Sequence, residues 1–250
     1  MDRQIIELRM AGREVRDLLR DPAAAGYFAM PLRCCGGERW DVAVDDELLR
    51  RGREVFPPGI SGANLEYRLL MLPTARHLLQ YGICIVHAVA FAWRGLAWLL
   101  CGDSGIGKST QFRRWRELCG PEVRLICGDM PLVSLEPDGS ILVSPSPWPG
   151  KERCTGDAEA PLGGVIFLEQ AAENMILSLP PTESVPRMLS SSFTRPETAG
   201  DIPGFAAIFD RVVSDHPVWL LRNRGDPGSA GMTMECLAAY LRKGQTDETI

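Results

Sequence analysis

The chain has 250 residues and a formal net charge of −5, enough length for one large or two small domains around a substantial core. The acidic balance removes any general attraction to nucleic acid or to an anionic membrane and leaves a small-molecule or protein partner. No apolar run reaches membrane-spanning length, and Asp2, Arg3, Glu7, Arg9, Arg13, Glu14, Arg16 and Asp17 leave no room for a signal-peptide core, so a cytoplasmic protein is expected.

Taken in order, Ile6, Leu8 and Met10 alternate as a strand does, and Ala11-Gly12 offers a turn into a second strand; a helix over Arg13–Arg20 is the competing reading. The pair Cys34-Cys35 with Gly36-Gly37 marks a turn, and Trp40, Val42 and Val44 alternate again. The other cysteines, at 84, 101, 119, 127, 154 and 236, form no C-x-x-C pair, and several lie in strand-like runs, so reduced core residues are expected. Pro57, Pro58, Gly59 and Gly62 break the chain before a helix from about Asn64 to Gln80, striped by Leu65, Leu69, Leu72 and Leu79 despite Pro73. Residues 1–80 thus read as a β-rich amino-terminal region with one helix, a candidate acceptor-recognition subdomain. Residues 81–242 read as the core and 243–250 as a frayed tail.

Two strands follow, Ile83–Ala92 and Leu96–Cys101, joined tightly through Trp93-Arg94-Gly95. The second runs into Gly102-Asp103-Ser104-Gly105-Ile106-Gly107-Lys108-Ser109, which fits G-x-x-x-x-G-K-[ST], and Thr110 opens the helix behind it. The chemistry needs these residue types at this spacing. Backbone N–H groups must wrap a polyphosphate, which demands glycine where a Cβ would block approach or forbid the dihedral. Lys108 reaches the β and γ phosphates and Ser109 offers its hydroxyl to Mg²⁺. The loop contacts phosphates rather than bases, so ATP and GTP are both admitted.

The helix after the loop buries Phe112, Trp115 and Cys119, stops at Gly120, and turns Arg113, Arg114 and Arg116 to solvent. Val123–Asp129 is an apolar strand ending in a carboxylate, about twenty residues past Ser109, where a second metal-facing residue is expected. Strands are expected at Leu132–Leu135, Ile141–Ser144, Val165–Leu168, Met175–Leu179 and Val218–Leu221, and helices near Phe205–Val213 and Met232–Leu241. The Ser- and Pro-rich stretch between Pro181 and Pro203 reads as a connection. Within it Arg195 is a candidate lid arginine, and Lys151, Glu152 and Arg153 are candidate phosphate or metal contacts on an earlier loop.

Val86-His87, the short hairpin, the phosphate loop and Gly128-Asp129 together resemble the catalytic domain of bacterial HPr kinase/phosphorylase, most specifically over residues 81–135. Ser144–Gly150 and Pro161–Gln170 are similar to segments of its shorter relatives, some of which phosphorylate ribosomally made peptides. The resemblance implies a mixed, β-rich α/β fold of the phosphoenolpyruvate-carboxykinase-like P-loop type, ATP with Mg²⁺, and transfer to a peptide or protein hydroxyl. It assigns catalytic roles to His87, Lys108 and Asp129 and metal binding to Ser109 and Asp129, and it raises homo-oligomerisation, since full-length relatives form hexamers. The sequence departs from that pattern in having Gly128 where the family has a first aspartate, and in lacking a later glycine-arginine-asparagine signature. A nucleotide-binding regulatory subunit and a kinase of a small hydroxylated metabolite are the competing functions.

Overall fold

Alternation of buried and exposed residues builds the amino-terminal sheet. Gln4–Met10 (β1) and Arg13–Leu19 (β2) pair antiparallel about Ala11 (φ 45°) and Gly12 (φ 75°), two successive left-handed residues of the kind a tight hairpin turn demands. The computed structural model describes residues 4–29, 39–150, 155–156 and 158–247. After a 3-10 turn at Pro22–Tyr27, Arg39–Val42 (β3) adds parallel to β2. Two helices follow, Asp46–Val55 (α1) and Gly62–Leu79 (α2). Apolar spacing does not announce α1. It forms because Asp45 caps it, accepting from the Leu48 N–H at 2.7 Å, while Asp46 and Glu47 occupy its first turn. In α2, Leu65, Leu69 and Leu79 are buried as the stripe requires, but Leu72 faces outward.

One inward position of β2 breaks the pattern. Asp17 lies fully buried between Val15 and Leu19, and neither carboxylate oxygen has a hydrogen-bond partner among the described residues. Burial, and then the nearby Glu66 carboxylate, push its acid up to about 8. Glu66 itself accepts from the N–H groups of Arg20 (2.7 Å) and Asp21 (2.8 Å). A carboxyl whose folded pKa exceeds its unfolded value of 3.8 stabilises the fold at low pH and loses that contribution as pH rises towards the folded value. Between about pH 5 and pH 7, above the unfolded value and below the folded one, this group alone should therefore lower stability steadily as pH rises. Asp17→Asn, which keeps the shape and cannot ionise, is expected to flatten that slope and raise the melting temperature at pH 8. Thermal melts at several pH values check it, and an unchanged slope in the variant would refute the assignment.

The remaining elements are Ile83–Ile85 (β4), Ala88–Trp93 (β5), Leu96–Cys101 (β6), Lys108–Cys119 (α3), Arg124–Cys127 (β7), Leu132–Leu135 (β8), Ile141–Ser144 (β9), Ala160–Gln170 (β10), Met175–Ser178 (β11), Pro181–Ser191 (α4), Asp201–Asp215 (α5), Val218–Asn223 (β12) and Gly228–Asp247 (α6). They form a large mixed sheet in the order β4-β8-β9-β10-β6-β5-β7, with β12 beside β10 and β11 beside β12. Both faces are covered. In β5 and β6, Ala88, Ala90, Ala97 and Leu99 pack towards Phe205, Ile208 and Phe209 of α5, whereas Phe91, Trp93 and Trp98 pack towards Phe112 and Trp115 of α3. Burial on both faces is why these strands read as unbroken apolar runs. A third cluster joins the amino-terminal sheet and α2 to Ile83, Ile85, Leu132 and Trp148.

Three expectations need correction. The strand expected over Ile83–Ala92 breaks at Val86-His87, because β4 pairs with β8 while β5 pairs with β6 and β7. At the break the His87 N–H donates to Ser191 O (2.7 Å) and the Ala88 N–H to Asp129 O (2.8 Å). The Ser- and Pro-rich connection contains α4, which tolerates Pro181 in its first turn and carries Pro186 within. Helix α6 continues through Lys243 to Asp247, beyond the point where fraying is expected.

Cys84, Cys101 and Cys127 are free and buried, and burial pushes the Cys84 and Cys101 thiols up to about 12, too high for reactivity near neutral pH. Cys34, Cys35 and Cys154 lie outside the described residues. Among those described, no helix is long and apolar enough to cross a membrane.

Candidate active site

Strands β6 and β10 run parallel, and β7 shares their direction because β6 and β7 are both antiparallel to β5. Their carboxyl ends therefore meet at one edge of the sheet, where open α/β sheets place their ligands. The loop from Gly102 to Gly107 leaves β6 there and feeds α3.

Gly102, Gly105 and Gly107 adopt φ of 138°, 84° and 108°, the left-handed region that other residues reach only under strain. At Gly102 a Cβ would also lie 3.1 Å from Leu168 O. No side chain caps the amino terminus of α3, so its first-turn N–H groups and its dipole face the loop's concavity. Lys108 opens the helix and is only 7 % exposed. Its Nζ donates to Gly102 O (2.7 Å) and Asp103 O (3.1 Å), and it lies 3.2 Å from His87 Nε2. Desolvation holds its pKa below the usual lysine value, against the opposing pull of Asp129, Cys101 and Asp103.

His87 Nε2 also lies 3.3 Å from Asp129 Oδ1. The imidazole nitrogen thus stands between an ammonium that only donates and a carboxylate that only accepts, so its proton decides which neighbour it serves. The three groups form a line: Asp129, His87, Lys108. The break in the strand at His87 makes this line, since the same bend that hands the His87 N–H to Ser191 turns the ring into the site. Asp129 is fixed from behind by its carbonyl, which accepts from Ala88, and covered in front by Gly150.

A cavity of about 330 Å³ lies over the loop, lined by His87, Gly105, Lys108, Ser109 and Asp129, with Pro149 on its far wall. Ser104, Gly107, Thr110 and Arg113 border it as well. A second cavity, about 350 Å³, shares His87 and lies against Gly102, Asp103 and Ile106; the Arg187–Glu169 ion pair, 2.7 Å, forms its wall. Of the loop residues, Ile106 thus faces this second cavity, and its N–H is already committed to Asp103 O at 3.2 Å. Arg195 is not brought to either cavity: its guanidinium turns back onto the carbonyls of Ser192 and Thr194. Lys151, Glu152 and Arg153 lie outside the described residues.

Several neighbours of the site escaped the sequence reading. Arg113 borders the cavity over the loop instead of merely solvating α3, and Arg114 donates to the carbonyls of Gly225 and Asp226. Gly150, at φ 74°, ends the Trp148-Pro149-Gly150 segment, whose letters alone do not mark a contact with Asp129. A Cβ there would stand 2.5 Å from Asp129 Cβ and 2.6 Å from its Oδ2. Gly150→Ala is therefore expected to displace the Asp129 carboxylate, lowering turnover by about a hundredfold while nucleotide affinity holds. Steady-state rates alongside fluorescent-nucleotide titration check this, and equal loss of both would point to general misfolding.

No protein-family model matches the chain, and no curated protein matches it in sequence. Among solved structures it is similar to the Hpr(Ser) kinase/phosphatase from Coxiella burnetii, at 12 % sequence identity and a TM-score of 0.38, over 65 % of this chain and 98 % of that one. So distant a likeness transfers no activity, and function has to come from the site's own residues.

Proposed function

We propose that the chain is an ATP-dependent phosphotransferase of the HPr-kinase-like P-loop type that moves the γ-phosphoryl group to a hydroxyl of a peptide or protein. The observation that carries this reading is the Asp129–His87–Lys108 line inside the cavity of the glycine-rich loop. A buried cation and a carboxylate able to accept a proton share one space, as phosphoryl transfer requires.

In the step itself the acceptor oxygen forms a bond to the γ-phosphorus, the bond from that phosphorus to the β–γ bridging oxygen breaks, and ADP leaves. The acceptor's proton passes to Asp129, with His87 fixing the carboxylate's orientation. Lys108 steadies the charge that collects on the γ oxygens, and the loop N–H groups hold the chain of phosphates in line. The donor set also fits Mg²⁺, which usually keeps several waters and takes one or two protein oxygens beside the phosphates. Ser109 and Asp129 both line the cavity and would each offer one such oxygen. When bound, the ion would neutralise phosphate charge.

The test is a transfer assay with γ-labelled ATP and Mg²⁺, offering serine- and threonine-containing peptides, proteins and small hydroxylated metabolites. Label on a peptide or protein hydroxyl is the expected result. Label only on a small metabolite would change the acceptor class. Nucleotide bound with no label moved would leave a regulatory nucleotide-binding protein, the reading that Gly128 in place of a carboxylate favours.

A further inference from the structure

A third cavity, about 400 Å³, opens beside the phosphate cavity and shares Ser109, Arg113 and Gly128 with it. Its floor is apolar, made by Val89 of β5, Phe112 of α3 and Leu125 of β7, and its rim carries Arg113, Arg116 and Glu117. That volume lies within the range of ligand pockets, ~300–1,000 Å³. Its direction is set by the helix: Ser109, Phe112, Arg113 and Arg116 stand at i, i+3, i+4 and i+7, one stripe of α3. Strand β7, which supplies the opposite wall, ends two residues before Asp129.

Two ligands compete for this space, a nucleobase and the acceptor. In this type of loop the lysine and the hydroxyl residue after it attend the terminal phosphates, and the base lies at the other end of the phosphate chain. The groove leaves from Ser109 and Gly128, on the side of the transferring phosphoryl group and of the carboxylate that takes the acceptor's proton. Charge adds a second reason. On a chain of net charge −5, two arginines and one glutamate make a locally positive rim. Arg116 is exposed and has no ion pair or hydrogen bond from its side chain among the described residues, and Arg113 has only the Thr110 hydroxyl at 3.3 Å.

We propose that this groove holds the segment of an acceptor peptide that flanks the phosphorylated hydroxyl, and that it selects an apolar side chain accompanied by acidic ones. The proposal rests on the phosphotransferase reading and gives that site its substrate class: acidic, apolar peptide rather than small metabolite. The apolar side chain enters between Phe112 and Leu125, and the acids meet Arg113 and Arg116 at the rim.

The experiment uses the full chain and a positional-scanning library of single-serine decapeptides, in two arms. In the first, with γ-labelled ATP, wild type should prefer apolar and acidic flanks. Arg116→Glu should raise the acceptor KM at least tenfold and favour lysine-containing flanks, with the ATP KM within twofold. Leu125→Trp, which fills the floor, should raise the acceptor KM likewise. An Arg116→Glu enzyme with an unchanged acceptor KM, or with a changed ATP KM instead, overturns the proposal. The second arm measures fluorescence anisotropy of a labelled serine decapeptide carrying one leucine and two glutamates, and of its lysine counterpart, with a non-hydrolysable ATP analogue and Mg²⁺. If label never moves, binding of the acidic peptide to wild type but not to Arg116→Glu upholds the groove while the phosphotransferase reading falls. Equal binding of both peptides, or of neither, overturns it.

Discussion

Lys108→Ala should abolish transfer, lowering turnover about a thousandfold or more, and should weaken nucleotide binding in the same variant. Two features of the structure set the size of that effect. The Lys108 ammonium is buried and desolvated, so its attraction for a phosphate oxygen is stronger than a surface lysine's. It is also preorganised: the carbonyls of Gly102 and Asp103 hold Nζ over the cavity before nucleotide arrives. The same desolvation gives a pH dependence. Burial holds the Lys108 pKa below the ordinary lysine value, and only the charged form attracts phosphate, so nucleotide affinity should begin to fall at a lower alkaline pH than an exposed lysine would allow. Titration of a fluorescent nucleotide at increasing pH, with wild type and Lys108→Ala in parallel, reads both effects. A variant that binds and transfers like wild type would remove the loop from the chemistry.

The glycine-rich loop was legible in the letters because it joins backbone requirement to side-chain chemistry at fixed spacing, and its strand and helix flanks carry strong apolar patterns. The hairpin at Arg94-Gly95 was legible for the same kind of reason: two left-handed residues, φ 52° and 77°, between two apolar runs. Helix α1 was not, because Leu48 and Leu49 are its chief apolar residues and its stability begins with the Asp45 cap rather than with a stripe. Helix α4 was hidden by Pro181 and Pro186; Pro181 opens the first turn, where proline is at home, and the cost of Pro186 inside the helix is offset by burying Met188 in the core. The break at His87 lay beyond local reading altogether. An apolar run of ten residues looks like one strand, and only the long-range partners, β8 and Ser191 on one side and β6 and β7 on the other, divide it. The site inherits that limit: its loop was visible, but the line from Asp129 through His87 to Lys108 depends on where separate strands end.

Asp129→Asn separates binding from chemistry more cleanly than any other substitution in this site. Asparagine has the same shape, so Ala88 still donates to the backbone carbonyl and Gly150 still closes over the side chain. What disappears is the negative charge and, with it, the ability to take a proton. Turnover should therefore fall about a thousandfold, within the range of a lost general base, while ATP affinity stays within about threefold of wild type. Saturating Mg²⁺ distinguishes the two duties the residue can perform. A carboxylate that served only as a metal ligand would be replaceable by raising the ion's concentration, whereas a missing proton acceptor would not, so the variant should remain inactive across the titration. His87 supplies the remaining control, since its Nε2 stands between Asp129 and Lys108 and acts through them. If its role is to hold the carboxylate, His87→Ala should cost less than Asp129→Asn, and adding it to Asp129→Asn should cost almost nothing more. Full additivity would make His87 a separate participant in the transfer step. An Asp129→Asn enzyme with unchanged turnover would exclude the carboxylate as the base and leave the acceptor's proton to the imidazole.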